Sequence, residues 1–152
     1  DIGETVAGVV DSLGHLAREY GVEVVFTRPD EPVFASGSRD ELIQVFVNLL
    51  ENACKYGQSG GRVDISIGRV EEGPTPEAAV TFRDYGPGIA EEHIPRITER
   101  FYRIDAEKSR VRNGTGLGLA IVKHILTRHD GRLAVRSRPG EGAAFTVYLP
   151  LR

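Results

Sequence analysis

A single cysteine, Cys54, is the only thiol in this 152-residue chain, so no internal disulfide can form and a reducing, cytoplasmic compartment is expected. Cys54 itself reads as a small core hydrophobe. No apolar run approaches the roughly 18 residues needed to cross a bilayer, and the opening residues DIGET do not resemble a secretory signal. No direct membrane contact is expected of this segment. Positive charge is not in excess either: 19 Lys and Arg stand against 22 Asp and Glu, which removes any general attraction for nucleic acid or an anionic lipid surface. Repeats and low-complexity stretches are absent. At 40% hydrophobic and 27% charged, the chain has the make-up of one globular domain with a proper core over residues 1–152. It opens inside a helical pattern, so a piece of a longer protein is expected.

The informative stretch is SRDELIQVFVNLLENACKY, residues 38–56. Leu42, Val45, Phe46, Leu49 and Ala53 recur at helical spacing and predict an apolar stripe facing a core. Asn48, Asn52, Lys55 and Tyr56 stand at i, i+4, i+7 and i+8, along one edge of the same helix. Ser38 with Glu41 three residues later predicts a capping box at its start. Two carboxamides, an ammonium and a phenol in line suit a hydrated cation and a polyphosphate.

Before that helix, residues 2–20 carry a 3.6-residue apolar period that Gly21 ends. Short strands follow at residues 22–26 and 33–35. After it, Val63, Ile65 and Ile67 alternate on one strand, and residues 78–83 return beside it with Val80 and Phe82 in register. That strand ends at Asp84, followed by Tyr85-Gly86-Pro87-Gly88-Ile89, where glycines around a proline permit unusual backbone conformations. Residues 91–103 read as a short helix and its exit through Phe101, Tyr102 and Arg103. Residues 104–113 are polar and non-periodic, which predicts a mobile loop. Gly114, Gly116 and Gly118 then lead into a helix to about His129, an arrangement that presents free backbone N–H groups to an anion. Two strands, with Leu133 and Val135, then Phe145, Val147 and Leu149, close the chain across an RPGEG turn. Antiparallel strands with helices gathered on one side predict a two-layer α+β sandwich. One nucleotide would use every cluster: a carboxylate for the adenine amine, glycines leaving room for the ring, an Asn carbonyl for a hard cation, and basic groups and amides for phosphates.

Four segments resemble, in order, the N box (QVFVNLLENACKY), G1 box (DYGPGI), F box (ITERFYRID) and G2 box (GTGLGLAIVKHI) of the catalytic ATP-binding domain of bacterial sensor histidine kinases. That domain belongs to a superfamily that includes gyrase B, Hsp90 and MutL, and the resemblance covers nearly the whole chain. It implies the Bergerat fold, an α/β sandwich of a mixed, mostly antiparallel sheet of about five strands on three helices, with an ATP lid at residues 104–113. It implies ATP and Mg²⁺ as ligands, with Asn52 on the metal and Asn48 on the same phosphate edge. Lys55, Tyr56 and Arg103, with Tyr102 beside them, would meet the phosphates or ribose. Asp84 would take the adenine amine in a pocket shaped by Gly86, Gly88 and Ile89. Gly114, Thr115, Gly116, Leu117, Gly118 and Leu119 would close over the triphosphate. Asn48, Lys55 and Arg103 are the catalytic candidates.

The hydrolytic branches of the superfamily resemble E-x-x-x-N at this helix, with the Glu activating water. Here Asn48 stands in its place, and Glu51 lies about 100° round the helix from Asn52. Phosphoryl transfer to a protein side chain is therefore expected over hydrolysis. The alternatives are a superfamily ATPase or chaperone-like hydrolase, and a non-catalytic ATP-sensing pseudokinase module. The family's acceptor motif, such as H-E-x-x-x-P, is missing around His15, His93, His124 and His129. The resemblance thus implies two further partners, a separate histidine-bearing dimerisation hairpin and a response regulator receiver domain. The wording IPRITERFYRID is most similar to kinases related to the phosphate-regulon sensor.

Overall fold

The computed structural model describes residues 1–99 and 118–152. Five strands form one sheet in the order β1-β2-β3-β5-β4, with β1 Glu23–Thr27, β2 Arg62–Val70, β3 Glu77–Asp84, β4 Arg132–Ser137 and β5 Ala143–Pro150. Only the β1–β2 pair is parallel. Its connection explains why: the chain leaves β1 and returns to β2 through a long helix, the crossover that parallel neighbours require.

The apolar period over residues 2–20 becomes two helices, α1 Ile2–Ser12 and α2 Gly14–Glu19, with Leu13 between them outside helical geometry. Glycine at 14, with its high backbone entropy, weakens that junction. The stop at Gly21 is as expected. Its φ is +67°, its N–H donates to the Arg18 carbonyl, and the Val22 N–H donates to the Ala17 carbonyl, the two bonds of a Schellman motif. The expected strand at 33–35 is reduced to one bridge, Ala35 to Leu151, with the Arg152 N–H donating to Phe34 and the Ile2 N–H from α1 donating to Val33, so among the described residues no strand lies alongside to extend the ladder.

Helix α3, Arg39–Gly57, is capped by Ser38, whose hydroxyl accepts from the Glu41 N–H at 3.3 Å. Leu42, Val45, Phe46, Leu49 and Ala53 are all buried. They lie over Val63, Ile65, Val80, Phe82, Phe145 and Val147, which alternate onto one face of the sheet. Phe46 and Phe82 stack with ring centroids 6.2 Å apart. Helix α4, Gly118–Arg128, runs beside α3 and buries Val122, Ile125 and Leu126 against the same core. The other face of the sheet carries polar pairs, such as Thr81 with Thr146 at 3.0 Å and Arg132 stacked 3.8 Å above Tyr148. This is the two-layer sandwich expected, with one core between helices and sheet. Among the described residues no helix is long and apolar enough to cross a membrane.

Candidate functional site

Three elements meet at one end of the sandwich: the polar edge of α3, the loop after β3, and the start of α4. Asn48, Asn52 and Lys55 are half-buried along α3, with Tyr56 at the surface. The Asn48 carboxamide uses both its oxygen and its nitrogen. Its oxygen accepts from Gln44 Nε2 at 2.7 Å, and its nitrogen donates to the Gly118 carbonyl at 3.2 Å, tying α3 to the first residue of α4. Among the described residues the Asn52 carboxamide makes no hydrogen bond.

Asp84 ends β3 on the inward face, in phase with Val80 and Phe82, so strand alternation places a carboxylate in the core at 2% exposure. Burial pushes its pKa up, and the N–H groups of Gly86 and Ala143 and the charge of Arg83 oppose that push without cancelling it. The Gly86 N–H reaches Asp84 Oδ1 at 3.0 Å.

The glycines around Asp84 serve close backbone packing. A Cβ on Gly57 would stand 2.4 Å from that of Asp84, one on Gly86 would stand 2.4 Å from the Tyr56 carbonyl oxygen, and one on Gly142 would stand 2.2 Å from the Asp84 carbonyl oxygen. Gly88, at φ +80°, lies equally tight against Arg138. The loop is then pinned to the β4–β5 turn. The Ile89 N–H donates to Ser137 Oγ at 2.7 Å, Ser137 donates to the Gly142 carbonyl at 2.7 Å, and the Gly140 N–H donates to Pro87. At the surface, the Tyr85 hydroxyl donates to the Asp64 carboxylate while Arg83 stacks 4.8 Å from the Tyr85 ring.

Gly118 is exposed at the head of α4, and Leu119 and Ile89 are half-buried against the core. Tyr102, Arg103, Gly114, Thr115, Gly116 and Leu117 lie outside the described residues, as do Phe101 and the expected lid. Sequence reasoning passed over Gly57, Ser137 and Gly142. Gly57 falls just past the helical stretch 38–56 and Gly142 at the end of the RPGEG turn, and only the contact each makes with Asp84 or its backbone gives them a role.

Cys54 is buried on α3 beside this site, and burial, with Glu51 second, raises its thiol to about 11. The thiolate is the reactive form. Alkylation at about pH 8 is therefore expected to be slower than for a free thiol by on the order of 10²-fold, and labelling at the rate of the unfolded chain would show that the site opens readily.

The chain belongs to the histidine kinase-, DNA gyrase B- and HSP90-like ATPase family, whose profile matches residues 37–152. Within it the chain is a catalytic domain of the sensor histidine kinase type, as its relatives indicate. It is 39% identical over 131 residues to the signal transduction histidine-protein kinase BaeS of Escherichia coli, covering 86% of this chain and 27% of that one. It is 46% identical over 112 residues to the phosphate regulon sensor protein PhoR of Pseudomonas aeruginosa, covering 74% and 24%. The chain thus spans about a quarter of the length of these curated relatives. Among solved structures it superposes on the mycobacterial sensor histidine kinase MprB with a TM-score of 0.81 at 30% identity, covering 100% of this chain and 95% of that one. Full-length ShkA in complex with AMPPNP gives a TM-score of 0.83 at 26% identity, covering 99% and 30%.

Proposed function

We infer that this domain binds Mg-ATP in the crevice between α3, the loop after β3 and the head of α4, and that the longer protein passes the γ-phosphate to a histidine on a separate hairpin. The observation that carries this reading is Asp84, a carboxylate held in the core at the rim of a polar helix edge. This carboxylate is buried and accepts from backbone N–H groups, and an exocyclic amine of the kind an adenine supplies would be a further donor suited to it. ShkA, similar along this entire chain, was solved with an ATP analogue bound.

The residues present fit magnesium. Its preference is for hard oxygen donors and retained waters, and the Asn52 carbonyl is available while Asn48 is occupied in joining the helices. No group of three or more His, Cys, Asp or Glu able to hold a metal lies among the described residues, so phosphate oxygens would complete the shell. The metal would supply charge neutralisation on the phosphates. Lys55 would add a positive group on the same edge, and Arg103 would supply a second positive charge to the phosphates. Asn48 cannot take a proton from water at neutral pH, which favours transfer to a side chain over hydrolysis. A receiver domain would be the next acceptor, a reading that the sensor histidine kinase relatives support.

None of His15, His93, His124 and His129 is followed by the E-x-x-x-P of the family's acceptor motif. His15 pairs with Glu19 at 3.1 Å on an exposed helix face, and His129 is held by two backbone groups. The domain alone is therefore expected to bind Mg-ATP saturably without labelling itself, and to label a histidine hairpin supplied in trans. Asn52→Ala is expected to remove the magnesium dependence of binding while leaving the circular dichroism spectrum unchanged. Absence of saturable heat in a calorimetric titration of the parent with Mg-ATP would overturn this reading.

A further inference from the structure

Helices α3 and α4 run antiparallel and are tied at both ends. At the crevice end the tie is Asn48 to the Gly118 carbonyl. At the far end it is His129, which follows α4. Its Nε2 accepts from the Ser38 N–H at 3.0 Å and its Nδ1 lies 2.8 Å from the Ile125 carbonyl oxygen. A carbonyl only accepts and an N–H only donates, so the ring has one available state, neutral with the proton on Nδ1. Gly37 makes room for it, since a Cβ there would stand 2.4 Å from His129 Cδ2. Ser38 and Asn48 are ten positions apart and Gly118 and His129 eleven, or about 15 Å and 16.5 Å at the helical rise of 1.5 Å per residue. The two ties therefore fix the sliding register of one helix on the other. The third link, Arg128 to Glu41 at 2.8 Å, is solvent-exposed and contributes little.

We propose that His129 is a positioning residue for the nucleotide site, a proton-sensitive latch that sets α4, and with it Gly118, against Asn48 and Asn52. The proposal rests on the nucleotide reading. A second proton on Nε2 would face the Ser38 N–H, donor against donor, so the ring must leave or the segment before α3 must shift. Either change frees the C-terminal end of α4 and loosens the Asn48–Gly118 bond at the other end. The charged groups on the surrounding elements are Arg39, Asp40 and Glu41 in the first turn of α3, Arg128 at the end of α4, Asp130 beyond it, and Arg152 beside the segment before α3, where its N–H donates to the Phe34 carbonyl.

The test compares the parent with His129→Gln, whose carboxamide can donate to Ile125 and accept from Ser38 without taking a proton. Calorimetry with Mg-ATP from about pH 8 down to about pH 5 is expected to show the parent losing affinity by at least about fivefold more than the variant. Both share the other histidines and the nucleotide's own protonation, so that difference is the readout. In parallel, the Asn48 side-chain NH₂ resonance of the ligand-free parent is expected to move in step with His129 protonation. Coincident pH profiles, or an Asn48 signal that stays still while His129 titrates, would overturn the latch. Absence of nucleotide uptake by either protein at about pH 8 would overturn the nucleotide reading instead, and the Asn48 signal would then decide the latch by itself.

Discussion

Asp84→Asn is expected to weaken ATP binding on the order of 10²-fold, the scale of losing a hydrogen bond to a charged group, while the ligand-free domain stays folded. The substitution keeps size and one acceptor oxygen, so the Gly86 N–H retains its partner. What changes is the group facing the crevice: an NH₂ would meet the adenine amine, donor against donor. Affinity for GTP, which has no exocyclic amine at that ring position, should fall much less. Stability should move in a separate direction. Because the folded-state pKa of Asp84 is raised, its contribution is fully present at low pH, below the unfolded value, and is lost as pH rises through the folded value. The neutral amide escapes that loss. At neutral pH the variant should therefore unfold within about 1 kcal/mol of the parent, and the comparison should shift in the parent's favour as pH is lowered. Denaturant midpoints at both ends of the range check this. An equal loss for ATP and GTP with a reduced midpoint would make Asp84 a strut and not a base contact.

Gly86→Ala is expected to destabilise the fold by about 1–3 kcal/mol, because the added methyl meets backbone and not a side chain that can turn away. The new carbon would sit 2.4 Å from the Tyr56 carbonyl oxygen and 2.9 Å from the Gly57 Cα. The end of α3 and the loop after β3 would have to separate, and Tyr56 and Asp84 move apart with them. Gly8→Ala gives the contrast. It lies inside α1 with no atom within 4 Å of the added carbon, so it should stabilise by about 0.5–1 kcal/mol through helix propensity alone. Thermal denaturation of the two variants beside the parent measures both. A Gly86 variant as stable as the parent would mean that the loop has slack the close contacts do not suggest.

The stripe of α3, the register of β2 on β3 and the stop at Gly21 were legible because each rests on a local period or a local backbone requirement. Ser38 with Glu41 was legible for the same reason. The break at Leu13 was not: the apolar period runs on through it, and only the Leu13 backbone, at φ −99° and ψ 7°, shows that two helices share one pattern. The segment at 33–35 alternates like a strand, yet it finds only Leu151 to pair with, and strand length depends on the neighbour as much as on the sequence.

The amino-acid order by itself determined the chemistry available here: the carboxamide edge of α3, an aspartate at a strand end, and glycines where the backbone must bend, all properties of residues within a few positions of each other. The tertiary structure decided which of those groups are spoken for. Asn48 is held by Gly118, seventy residues away, Asp84 packs against Gly57 at the end of α3 and Gly142 in the β4–β5 turn, and His129 is fixed by the cap of a helix ninety-one residues earlier. Hydrogen-bond partners and desolvation depend on distance in space, and no period along the chain records that.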